Sequence, residues 1–245
     1  MAPHGYPSYD PPKNKIPLKG SYEDGKYRWD NALSRFKLQP ERFSQWIYFE
    51  DEHTRVIYDA YPKANVHLLV LPLNDLLPTQ VSEFNLHHLP ELKKAHNIAR
   101  GIAECINERH GVKFWNCKIG YHAKPSMSDL HIHIITQDFD SEKLKNKKHW
   151  NSFNTEFFVP IDKVERDIES NGEVSLQNRD QLKELLKVAL KCHRCGTEFR
   201  FLPKLKKHLD EPCVKIDELN ETVNTKTETV SKEIYEEIYE EIEIE

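Results

Sequence analysis

The chain has 245 residues, 38% hydrophobic and 31% charged, enough for one sizeable domain and a small satellite. No apolar run approaches the length of a membrane span. The first thirty residues hold no apolar stretch of the kind that directs secretion, so neither a membrane nor a secretory destination is expected. The net charge of −5 hides an asymmetry: residues 217–245 carry eleven acids and two lysines, a local −9 that leaves residues 1–216 at +4. A mildly basic body suits a nucleic-acid partner.

Residues 1–26, with prolines at 3, 7, 11, 12 and 17, are expected to be disordered. Residues 27–36 predict a short helix with Trp29, Leu33 and Phe36 on one face. FSQWIYFEDEHTRVIYDAYP predicts two strands about a turn at Asp51 and Glu52. Residues 67–73 predict a third, strongly apolar strand. Residues 89–110 predict a long amphipathic helix stopped by Gly111. KFWNCKIGYHA and residues 130–136 predict two further strands. Strands on either side of one long helix point to an α+β fold with a largely antiparallel sheet. Residues 137–160 read as a polar extension containing aromatics. Residues 181–208 read as a helix, a cysteine knuckle and a second helix. The tail SKEIYEEIYEEIEIE is too crowded with glutamate to expect order.

In DLHIHII, residues 129–135, strand alternation puts Asp129, His131 and His133 on one face and Leu130, Ile132 and Ile134 on the other. Polar groups so spaced on an apolar strand need partners or a task. His122 and Ser126 lie just upstream in GYHAKPSMS, and His67 opens another strand. Neutral imidazole can attack phosphorus, and a protonated one can donate to the leaving oxygen, so converging histidines suit phosphate chemistry. A hydrolytic zinc site built from the same histidines is the other reading and stays open at this point. For a lone histidine, a satisfied structural role would be preferred.

An odd count of five cysteines with a close pair speaks for metal rather than disulfides. Cys105 and Cys117 are expected to be buried packing residues. Cys192-x2-Cys195, twelve residues and then His208 form a strong zinc pattern of C2H2-like layout. The fourth ligand is assigned to Cys213, five residues on, with Glu211 as the alternative, because thiolate is the softer ligand. Lys204, Lys206 and Lys207 cluster before His208, and Lys145, Lys147 and Lys148 lie in KLKNKKHW at 143–150. Both groups suit phosphate contacts, or are solvated faces.

DLHIHII resembles the signature of the histidine-triad superfamily. More narrowly, GYHAKPSMSDLHIHIITQDFDS with LKNKKHWNSFNTEFF resembles the aprataxins, DNA-adenylate hydrolases of that superfamily, over about residues 27–213. The resemblance implies a histidine-triad fold at 27–160, a helix and zinc-finger DNA-binding module at 161–216, and an acidic tail at 217–245. It implies His131 as nucleophile, His122 as general acid, His133 as a further triad member and Ser126 as a phosphate contact. DAYPKANVHLLVLP implies the nucleotide-binding segment, with Asp59 on the ribose hydroxyls, Ile57 against adenine and His67 nearby. It implies that Trp29 and Lys145, Lys147 and Lys148 meet DNA. Asp129 stands where the family has its first triad histidine; a carboxylate there could orient an imidazole.

The implied reaction is removal of AMP from adenylated 5′ ends of DNA, through an adenylyl-histidine, by a nuclear, monomeric enzyme. One structural zinc and no catalytic metal are expected. Two alternatives are a hydrolase of small nucleoside phosphoramidates or dinucleoside polyphosphates, and a decayed DNA-end binding protein.

Overall fold

The structure is a computed structural model that describes residues 5–13, 32–110, 116–211 and 213. It divides into two units, with the boundary between Val188 and Ala189.

The larger unit is organised by the apolar run that begins at His67. All six residues of β3 (His67–Pro72) are buried, as a short continuous apolar run predicts for a strand covered on both faces. β1 (Ile47–Glu50) and β2 (Thr54–Tyr58) form a hairpin. Asp51 ties its turn by accepting from the His53 and Thr54 amides and the Thr54 hydroxyl at 2.9, 2.7 and 2.8 Å. β4 (Lys118–His122), β5 (Ile132–Ile135) and β6 (Phe158–Pro160) complete a six-stranded sheet in the order β1-β2-β3-β5-β4-β6, every pairing antiparallel.

The long helix α2 (Leu89–His110) has the predicted bounds. It buries Leu92, Ala95, Ala99, Ile102 and Ile106, a three-and-four spacing that makes one helix face, against β3, β4 and β5. α1 (Ser34–Leu38) precedes the sheet. Its Phe36 and the adjacent Leu33 are core residues, which is the side of the prediction for residues 27–36 that the structure bears out. Trp29 lies outside the described residues, as do Gly111 and the acidic tail.

Three stretches differ from expectation. Residues 137–160 are not a simple extension: they hold α3 (Lys147–Asn154), capped by Asn146, whose side chain accepts from the His149 amide at 3.0 Å, and the edge strand β6. Trp150 of the basic patch is buried against Phe139. Residues 161–188 pack with the larger unit rather than the finger. α4 (Ile161–Asn171) buries Ile161, Val164 and Ile168 beside α2, and α5 (Arg179–Leu185) buries Leu182. Residues 5–13, within the stretch expected to be disordered, are ordered by contacts from Tyr6 and Tyr9 to the body.

Gly120 is needed where β4 meets β6. A Cβ there would lie 2.4 Å from the Val159 carbonyl oxygen and 2.8 Å from the Phe158 ring. Gly120→Ala is therefore expected to destabilise the larger unit by about 1–3 kcal/mol, the usual cost of overpacking. Urea denaturation checks this, and an unchanged midpoint would contradict it.

The smaller unit is a hairpin and a helix: β7 (Leu190–Lys191), β8 (Glu198–Phe199) and α6 (Leu202–Leu209). Gly196 adopts φ +75° in the knuckle between the strands, a conformation open to glycine. Among its described residues, Leu190, Leu202, Leu205 and Leu209 are buried.

Candidate functional site

Sheet register brings the histidines to one face. His133 of β5 pairs with Leu69 of β3 and with Gly120 of β4, and His122 follows two residues after Gly120. His131 sits just before β5 begins. A cavity of about 520 Å³ opens there, lined by His122, Ser126, His131 and His133 from one side and by Ile57, Asp59 and His67 from the other. These are all the residues that the sequence assigned to catalysis and nucleotide binding. The His133 ring centroid lies 4.4 Å from that of His122, 5.0 Å from His131 and 5.2 Å from His67.

Hydrogen bonds fix where the protons are. Nδ1 of His131 lies 2.7 Å from the backbone carbonyl of Asp129. A carbonyl can only accept, so Nδ1 carries the proton, and Nε2 of a neutral ring keeps its lone pair. The Lys63 amide donates to Nδ1 of His67 at 3.1 Å, which puts the His67 proton on Nε2. That Nε2 donates to Nδ1 of His133 at 3.0 Å, so the His133 proton sits on its own Nε2. Among the described residues this Nε2, and Nε2 of His122, are buried without a hydrogen-bond partner. A buried N–H with no partner costs free energy until something accepts from it. The cavity thus holds a free imidazole lone pair and an unused donor on adjacent side chains.

Burial keeps the rings neutral. It pushes His67 down to about 4, although Asp59 pulls it upward, and lowers His131 against the opposing hydrogen bond to Asp129. It holds His122 and His133 well below the usual histidine range. The unfolded chain therefore binds more protons than the folded one between the ordinary value of 6.5 and about 4. Stability from these buried neutral rings is complete above pH 6.5 and is lost as pH falls through that window. The denaturation midpoint should accordingly drop between pH 7 and pH 5, and a flat profile would contradict the neutral cluster.

Two sequence expectations change. The Asp129 carboxylate does not orient His131: it accepts from the Ser34 hydroxyl at 2.7 Å, and the backbone carbonyl of the same residue holds the ring. His67 is 1% exposed, with both ring nitrogens engaged by protein, so it backs His133. Asp59, His67 and His133 do bring ligand atoms within 4.8 Å of one another. A metal there would have to break the hydrogen bond between the two histidines. Lys148 reaches the cavity, whereas Lys145 is solvent-exposed and Lys147 points its amine at the Lys187 carbonyl at 3.4 Å.

Sequence reasoning missed Lys63, Lys124 and His149, which also line the cavity. Lys63 lies in the quoted nucleotide segment, and burial lowers its amine. Its position in DAYPKANVH, among residues already assigned, was the available signal.

In the smaller unit Cys192, Cys195, His208 and Cys213 bring one ligand atom each within 4.8 Å of one another. The Sγ atoms of Cys192 and Cys213 are 3.9 Å apart, and Cys195 Sγ is 3.3 Å from His208 Nε2. Tetrahedral zinc with bonds of about 2.3 Å to sulfur and about 2.1 Å to nitrogen sets its ligand atoms roughly 3.5–3.8 Å apart, which this donor set fits. Glu211 is not in the group. Lys204 and Lys207 are exposed on α6 and Lys206 is half-buried.

Residues 35–149 match the family described as scavenger mRNA decapping enzyme C-terminal binding, and residues 154–215 match the C2HE / C2H2 / C2HC zinc-binding finger. The chain is 41% identical to an aprataxin of Gallus gallus over 167 residues, which is 68% of this chain and 51% of that protein. It is 39% identical to one of Danio rerio, covering 78% and 55%. It thus spans about half the length of these relatives. An aprataxin-like protein of Saccharomyces cerevisiae is 33% identical, with 74% of this chain and 94% of that one covered. A crystal structure of an aprataxin ortholog in complex with DNA superposes with a TM-score of 0.60 at 29% identity, over 75% of this chain and 94% of that one. The chain, with its histidine-triad-like antiparallel sheet and its C-terminal zinc-binding finger, belongs to the aprataxin family.

Proposed function

We propose that this chain hydrolyses adenylated 5′ ends of DNA, releasing AMP, in DNA strand-break repair. The observation that carries the reading is the 2.7 Å contact of His131 Nδ1 with the Asp129 carbonyl, which leaves Nε2 as a lone pair on a residue lining the cavity. Nε2 attacks the α-phosphorus of the adenylate. The P–O bond to the DNA 5′-phosphate breaks, and the oxygen leaves with the DNA, taking a proton from His122. Water then attacks the adenylyl-histidine, giving a proton to the now neutral His122; the P–N bond breaks, its electron pair returns to His131 Nε2, and AMP departs.

Burial disfavours the protonated form of His122 in the empty cavity. A bound pyrophosphate brings negative charge that favours that form, so substrate itself readies the acid. His133 Nε2–H and Ser126 donate to the phosphoryl oxygens as charge develops. Asp59 accepts from the ribose hydroxyls, and Ile57 packs against adenine. DNA is held through Lys145, Lys147 and Lys148 and through Lys204, Lys206 and Lys207 of the finger; an ortholog of related fold was crystallised with DNA. A zinc ion on Cys192, Cys195, His208 and Cys213 is structural, because four protein ligands leave no open position. The enzyme is read as a nuclear monomer.

The decayed-enzyme alternative rested on Asp129, and it loses that support once the backbone orients His131. Single-turnover release of AMP from adenylated nicked DNA, compared with an adenosine phosphoramidate, tests the substrate class. Preference for the DNA conjugate is expected. Equal efficiency would favour a small-nucleotide hydrolase, and release from neither would return the binding protein.

A further inference from the structure

Residues 5–10 make a series of specific contacts with the body of the larger unit. Arg109, near the end of α2, donates to the carbonyl oxygens of Tyr6 at 2.8 Å and Pro7 at 2.6 Å. The Tyr48 hydroxyl donates to the same Pro7 oxygen at 2.6 Å. The Tyr6 ring stands edge-on to Phe49 at 5.0 Å and rests on Gly101, where a Cβ would lie 3.0 Å from it. Glycine inside a helix weakens it. At position 101 the missing side chain makes the room that Tyr6 occupies.

Further along, the Tyr9 ring meets Tyr58 edge-on at 5.3 Å. Its hydroxyl accepts from the His67 amide at 3.4 Å, and the Asp10 amide donates to the Tyr58 hydroxyl at 3.4 Å. Tyr58 is the last residue of β2 and His67 the first of β3. The segment is therefore tied to both ends of the loop 59–66. That loop carries Asp59, and it carries Lys63, whose amide sets the His67 tautomer and through it the donor on His133.

We propose that residues 5–10 are a strap that positions the nucleotide-binding loop, with Tyr9 as its principal positioning residue. The meaning of that loop rests on the function proposed above. A loop already ordered loses less conformational freedom when ligand binds, so the strap strengthens nucleotide binding without touching the nucleotide. It acts on affinity and KM rather than on the chemical step.

The test uses the full chain with Tyr9→Ala and Tyr9→Phe, AMP as the probe in calorimetry, and hydrogen exchange across residues 59–67. Tyr9→Ala should weaken AMP binding about tenfold, the scale of one aromatic contact and one weak hydrogen bond. KM for adenylated DNA should rise with it while kcat holds, and exchange should quicken at 59–67 alone. Tyr9→Phe, which keeps the ring contact, should recover most of the affinity. Unchanged affinity and exchange in Tyr9→Ala, or faster exchange throughout the unit, would overturn the strap. Failure of the unsubstituted chain to bind AMP would instead overturn the proposed function, and exchange at 59–67 would still judge the strap.

Discussion

His131→Ala should abolish AMP release while leaving DNA affinity near that of the unsubstituted chain. The reason lies in the proton positions. His133 has its Nδ1 occupied by His67 and its Nε2 protonated, so it has no lone pair to offer phosphorus. His131 has one, held by a backbone carbonyl that cannot change sides. Loss of a covalent nucleophile costs on the order of 10⁴-fold or more in kcat, because the remaining groups act only together with it. His131 is 7% exposed, in the cavity wall, and is not one of the lysines assigned to the DNA strand, so binding of that strand should be spared. Rapid-quench measurement of AMP, paired with a DNA titration, separates the two. Turnover reduced by only about tenfold would place the nucleophile elsewhere.

Stripping the metal from the finger should have the second large effect. Among its described residues the smaller unit buries Leu190, Leu202, Leu205 and Leu209 beside its cysteines, little apolar surface for those residues to fold on without a metal. Structural zinc contributes about 10–16 kcal/mol in such units at neutral pH. Chelation, or Cys195→Ser, should release residues 189–213 to rapid hydrogen exchange. Residues 32–188 should keep their protection, since their core is built without these ligands. DNA affinity should fall steeply, and hydrolysis of a small AMP ester should hold. Protection of 189–213 that survives chelation would contradict a metal-built finger.

The parts of this fold that were legible in sequence are those where one pattern dominates. The apolar run at β3, the alternation at β5 and the three-and-four spacing of α2 each admit one reading. β6 escaped because its three residues run through Pro160 into α4 with no turn between them, so neither period has length to register. α4 was not expected, although Ile161, Val164 and Ile168 have the helical spacing of one face. The partner of that face is α2, some sixty residues earlier in the chain, and no local signal names it.

At the site, alternation found the face that carries the histidines, and the family resemblance implied roles for them. Tautomers could not be read, because they depend on which carbonyl or amide the fold sets opposite each ring. Asp129 illustrates this: its side chain drew the attention, and its backbone does the orienting. The strap was hidden by composition. Prolines and polar residues in the first 26 positions argue for disorder, and the partners that tie down residues 5–10, among them Tyr48, Tyr58 and Arg109, lie far along the chain.

Mapping of an acid-labile adduct identifies the nucleophile itself. Adenylated DNA labelled in the AMP moiety is mixed with the chain, quenched in base to preserve a P–N bond, digested and analysed by mass spectrometry. An adenylyl group is expected on the peptide containing His131, localised to that ring and absent from His131→Ala. An adduct on His122, His133 or a lysine, or complete turnover with no adduct at any time point, would contradict it.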